Sequence, residues 1–125
     1  MVCFYLRFLA ESYHCEALCL LGRHEEAAKF HESEISFQSS LGLSHRYPVT
    51  LGKSQMTETE EIDATAAMNR GIKLAILGNY FEAQKSVMRA LQLIPHCSIA
   101  INTLVYILLK TDQRSLALKV LRGSR

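Results

Sequence analysis

The side chains best equipped for chemistry crowd into one short stretch, where His14, Cys15, Cys19 and His24 are all potential zinc ligands. Zinc prefers thiolate and imidazole, and Cys15 and Cys19, at i and i+4, share one face if the stretch is helical. Yet no CxxC knuckle is present, and Cys15 falls where a small residue packs between helices. Free cysteine is among the most buried residue types, so these thiols read as core and no metal is expected. With Cys3 and Cys97 they make four cysteines at irregular positions, outside any disulfide framework, as in a reduced cytosolic or nuclear setting. A second grouping, Glu58, Glu60, Glu61 and Asp63, imitates paired catalytic carboxylates. It stands where a polar stretch gives way to an apolar-periodic one, so its charge reads as the favoured start of a helix. The sequence holds no glycine-rich phosphate loop, no G-x-S-x-G elbow and no H-E-x-x-H pair. Neither catalysis, a small-molecule substrate nor a cofactor is expected.

Charge points the same way. The net charge of +2 is too small to mark a nucleic-acid or membrane surface. The last sixteen residues are locally basic, with Lys110, Arg114, Lys119, Arg122 and Arg125 against Asp112. An RNA-facing tail is one reading; a solvated face complementing the dipole at a helix C-terminus is the favoured one. With 49% of residues apolar and 21% charged, the chain has the composition of a globular protein. Residues 1–10 are apolar but carry Arg7, lack a basic leader and run into Glu11, so they fit a helix and neither a signal peptide nor a membrane span. They begin in mid-pattern, as the start of an incomplete gene product would.

The elements that must carry any surface are repeated. Leu77-Gly78-Asn79-Tyr80-Phe81-Glu82-Ala83 echoes Leu21-Gly22-Arg23-His24-Glu25-Glu26-Ala27, each at the junction of two amphipathic stretches. Gly78, Tyr80, Ala83, Val87, Ala90 and Pro95 fill the turn glycine, aromatic, alanine, large apolar, alanine and closing proline of the tetratricopeptide repeat (TPR) pattern. Gly71 and Leu74 fill the small and large positions upstream, while Ala67 and Arg70 stand where the pattern prefers Trp and Leu. A step of 34 residues, the period of that repeat, carries Ala83 to Ala117 and Val87 to Leu121 and places Leu104 and Leu108 on a buried face. In this last unit Val105 takes the small position and Asp112 and Arg114 replace the turn glycine and aromatic, as in a terminal repeat. Asn79 with Glu82, Ser98 and Asp112 are the expected helix caps.

The predicted fold is therefore all-α: a TPR-like antiparallel helix-hairpin array, an alpha-alpha superhelix of about three hairpins with one long loop. The boundaries are 1–35 for the first hairpin, 36–63 for a polar flexible insertion, 64–96 for the second hairpin and 97–125 for the third. The insertion is rich in Ser, Thr and Gly; it reads as a spacer whose hydroxyls are also open to kinases. In such arrays the first helix of each hairpin lines the partner groove. Its expected exposed positions are Glu16 and Cys19, then Met68 and Ile72, then Asn102, Tyr106, Leu109 and Lys110. Tyr106 is the expected hot spot, with packing against a neighbouring helix as its alternative. Leu116, Val120 and Leu121 are expected to need a neighbour's cover, and poor solubility of the isolated chain follows.

Three stretches resemble one TPR family in particular. Tyr13 to Ala27, with Glu16-Ala17-Leu18, Leu21 and Arg23, is similar to a family helix reading E-A-L-x-x-L-x-R before an alanine. The polar insertion lies in the same place, and Ala100-Ile101, Val105-Tyr106, Leu108 and Leu116-Ala117-Leu118 resemble the family's final hairpin. The family is the TPR subunit ten of the CCR-NOT mRNA deadenylase complex, in its C-terminal region, and the resemblance spans nearly the whole chain apart from the insertion. It implies a non-catalytic accessory scaffold that docks with subunit eleven and the N-terminal region of scaffold subunit one. It also implies a role in mRNA decay and translational repression, in the cytoplasm with some nuclear presence. Family members usually carry many upstream repeats. The alternative is a generic TPR adaptor for chaperones or trafficking, but of the Lys and Asn clamp that grips chaperone C-termini only Asn102 and Lys110 have counterparts here.

Overall fold

The computed structural model describes residues 2–39, 58–95 and 97–124. Among them are six α-helices and no strand: α1 (Val2–Leu20), α2 (His24–Ser39), α3 (Glu58–Ile76), α4 (Tyr80–Leu93), α5 (Ser98–Lys110) and α6 (Arg114–Gly123). The all-helical architecture of three hairpins is as the repeat pattern predicts.

Each hairpin turns by the same device. Gly22 and Gly78 adopt left-handed backbone with φ of 80° and 86°, and Asp112 adopts it at 62°. At each turn the left-handed residue's N–H donates to the carbonyl three back (Cys19, Ala75, Leu109; 3.0–3.3 Å). The next N–H donates five back (Leu18, Leu74, Leu108; 2.8–2.9 Å). This paired pattern satisfies carbonyls that a helix end otherwise leaves orphaned. Asp112 thus replaces the expected glycine without changing the turn, since aspartate is among the few residues that visit this region. The side-chain caps expected from sequence are not formed. Asn79 makes no capping hydrogen bond, and the cap positions of α5 and α6 are Cys97 and Gln113 rather than Ser98 and Asp112.

The α3–α4 hairpin is joined by close contact. A Cβ on Gly71 would lie 2.6 Å from Val87 Cγ2 and 3.3 Å from the Val87 backbone nitrogen. Ala83, Val87 and Ala90 bury the facing side of α4, so the small and large positions of the repeat work as expected. Arg70 Nε reaches across to donate to Ser86 Oγ at 3.1 Å. In the last hairpin Ala117 and Leu121, the predicted counterparts of Ala83 and Val87, are both fully buried.

One expectation is corrected. The insertion is narrower than 36–63, because α2 continues to Ser39 and α3 begins at Glu58; residues 40–57 lie outside the described residues. The chain also does not stack as a simple solenoid, in which each unit touches only its neighbours. Helix α2 makes its broadest contact with α5 and also packs on α3, while α1 touches α6. The first hairpin thereby folds back onto the third. Leu121 is buried, while Leu116 is exposed and Val120 part-buried. Helix α5 becomes the central element, with every residue from Ser98 to Leu109 buried. Its apolar run shows no polar face, as befits a helix enclosed on all sides, and Thr103 turns its hydroxyl inward to donate to Ile99 O at 2.8 Å.

Candidate protein-interaction surface

The groove predicted from sequence lies along α3 and α5. Met68 and Ile72 occupy one line of α3 at i and i+4, flanked by Ala64 and Ala75 in the same stripe; Asn102, Tyr106 and Leu109 form the matching line of α5. The register is right, but these side chains are not exposed. Met68 and Ile72 are each 1% accessible, Asn102 and Tyr106 3%, and Leu109 8%. Helix α2 packs on both α3 and α5, and its own Ala27, Ala28, His31 and Ile35 are buried. These positions are covered by the chain itself.

Tyr106 shows the contact at residue level. Its ring meets Tyr80 of α4 edge-on, centroids 6.3 Å apart. Burial holds its phenol protonated well above the usual range, reinforced by the neighbouring Tyr80 hydroxyl and by the Glu32 carboxylate of α2. It is a packing residue between three helices, the alternative the sequence reading left open. His31 is driven the other way: burial lowers its imidazole to about 4, with His14 adding to the effect. Its Nε2 has no hydrogen-bond partner, and neither has the buried Asn102 Oδ1. Native interiors leave few such atoms unpaired.

The first helix contributes less than expected. Glu16 is part-buried and accepts from Arg122 Nε of α6 at 2.7 Å, so it ties the first hairpin to the last. Cys19 is 5% exposed rather than groove-lining. Cys15 is fully buried; burial, with Cys19 beside it, pushes its thiol up to about 12. A thiol held that far above neutrality is neither nucleophile nor ready ligand. Among the described residues no group of three or more His, Cys, Asp or Glu is placed to hold a metal ion. Cys15, Cys19 and Cys97 are free thiols, all buried. Of the predicted set only Lys110, at the end of α5, is exposed.

The exposed apolar surface lies elsewhere. On the outward face of α4, Phe81 is 70% exposed and Met88 45%. With Gln84, Lys85, Arg89 and Gln92 they line a shallow depression of about 370 Å³, and Lys85 Nζ sits 4.7 Å over the Phe81 ring. Ile76, at the end of α3, and Leu77, in the turn before α4, are also exposed. The signal was present in the sequence as Phe81, Lys85 and Met88 at helical spacing, on the side of α4 opposite Ala83, Val87 and Ala90. No helix of the described residues is long and apolar enough to cross a membrane.

In comparison with known families, the family model of the CNOT10 tetratricopeptide repeat domain matches residues 3–115. No curated protein and no solved structure matches the chain.

Proposed function

The chain belongs to the CNOT10 tetratricopeptide repeat domain family, and on that premise we propose that it is a non-catalytic scaffold of the CCR-NOT deadenylase complex. The observation that carries this is the family match across nearly the whole chain, including all of the described hairpin turns. In this reading the chain acts in mRNA decay and translational repression through its protein partners, subunit eleven and the N-terminal region of scaffold subunit one. Its place of work is the cytoplasm, with some nuclear presence.

The test is to express the tagged chain in cells and ask which CCR-NOT subunits accompany it as salt is raised. Retention of subunits eleven and one through a high-salt wash supports the proposal, because apolar contacts respond little to salt. Retention only of RNA, lost steeply as salt rises, would replace it with direct nucleic-acid binding through the basic tail.

A further inference from the structure

The exposed apolar side chains of α4 share one face. Phe81 and Met88 lie seven residues apart, two turns along the helix, which at a rise of about 1.5 Å per residue separates them by about 10 Å. They stand opposite Ala83, Val87 and Ala90, the residues that α4 buries. Both are exposed, and they line one shallow depression together with Lys85 and Arg89. Among the described residues no carboxylate lines it. The charge around it is one-sided. Glu82 is the only acid of α4 and stands 3.7 Å from Lys85, while Arg89 forms no ion pair among the described residues. Arg70 of α3, which donates to Ser86 Oγ, adds a third cation beside the helix.

An exposed aromatic ring among cations is also what a single-stranded nucleic acid stacks on. Here the Lys85 ammonium, 4.7 Å from the ring centroid, already covers one face of Phe81. Met88, and not a second aromatic, continues the line. A flexible thioether and a ring edge suit aliphatic side chains, and the cations on either side suit carboxylates.

We propose that the outward face of α4 is a docking surface for an acidic amphipathic helix of a protein partner. Large aliphatic side chains at heptad spacing seat against Phe81 and Met88, and carboxylates on their flanks pair with Lys85 and Arg89. Heptad spacing is what a helix crossing at about 20° presents, so successive anchors meet Phe81 and Met88 in register. The inference deepens the scaffold reading by giving the chemistry of one partner segment, and it rests on that reading for the existence of a partner. Its test uses no CCR-NOT subunit, so its failure leaves the result with subunits eleven and one untouched.

The probe is a fluorescein-labelled amphipathic peptide with leucine at heptad spacing, glutamate on both flanks of that stripe and alanine on its back. It is titrated into the full chain and followed by anisotropy, beside a second peptide with lysine in place of every glutamate and a labelled oligouridine. The glutamate peptide is expected to bind at least tenfold tighter than the lysine peptide. Because aromatic anchors dominate such contacts, Phe81→Ser is expected to weaken it at least tenfold. Lys85→Glu combined with Arg89→Glu should reverse the preference between the two peptides. All three side chains are exposed, so the variants are expected to keep the parent's helical signal, and Leu116→Ser on α6 is a control that should leave binding unchanged. Equal binding of the two peptides, an affinity unmoved by Phe81→Ser, or a preference that the double substitution fails to reverse would overturn the proposal. So would no binding of the glutamate peptide, and if oligouridine binds in its place the face reads nucleic acid instead.

Discussion

At Gly71 two opposed preferences meet. Alanine is favoured over glycine inside a helix by about 0.5–1 kcal/mol, but here its Cβ would press within 2.6 Å of Val87 Cγ2. Overpacking of this kind costs roughly 1–3 kcal/mol, so Gly71→Ala is expected to destabilise the chain, read as a lower urea midpoint with an unchanged slope. Asp112 is the converse case. A non-glycine residue in the left-handed region bears a strain of about 1 kcal/mol, so Asp112→Gly is expected to raise stability by up to that amount. Its exposed ion pair with Arg114 at 3.1 Å adds little that would be lost. A thermal melt in which Asp112→Gly is less stable than the parent would show that the aspartate has a role beyond the turn. Gly71, Gly78 and Ala83 were legible in the sequence because each rests on a local steric demand that only small or achiral residues meet. The caps were not, because Asn79, Ser98 and Asp112 have cap-forming side chains, and the end of a helix fixes its cap only to within a residue.

The hairpins were legible as elements for a related reason: amphipathic periodicity and the recurring turn define where helices start and stop. What periodicity leaves open is which element covers an apolar stripe. Met68 and Ile72, with Tyr106 and Leu109, were expected to line an open groove, and they are buried in a chain whose α2 packs on both α3 and α5. His31 gives that contact a pH dependence. Its pKa falls from 6.5 to about 4 on folding, so the unfolded chain binds the proton more readily. Stability is then full above pH 6.5 and is lost as pH falls from there toward 4, by up to about 3 kcal/mol. Urea midpoints measured at pH 7.5, 6 and 5 should decline in that order, and His31→Leu should flatten the decline. A profile unchanged by His31→Leu would mean that other groups dominate it. The Glu16–Arg122 pair, with the arginine side chain 55% exposed, is a lesser tie between α1 and α6. Arg122→Ala is expected to cost about 1 kcal/mol or less, checked by the same melts.

For the molecule as a whole, the folding-back of the first hairpin onto the third could not be read from a repeat pattern, which encodes neighbours only. It exchanges an open groove for a closed core around α5 and leaves Phe81, Met88 and Leu77 as exposed apolar surface. The family match assigns the chain to a repeat class that works by holding other proteins. The most direct test of that claim is reconstitution. The purified chain is mixed with CCR-NOT subunit eleven and the N-terminal segment of subunit one, and the mixture is resolved by size exclusion in high salt with mass determined across the peak. A single species containing the chain at fixed stoichiometry is the expected result. Elution of a folded, helical chain apart from both partners would contradict the proposed scaffold role.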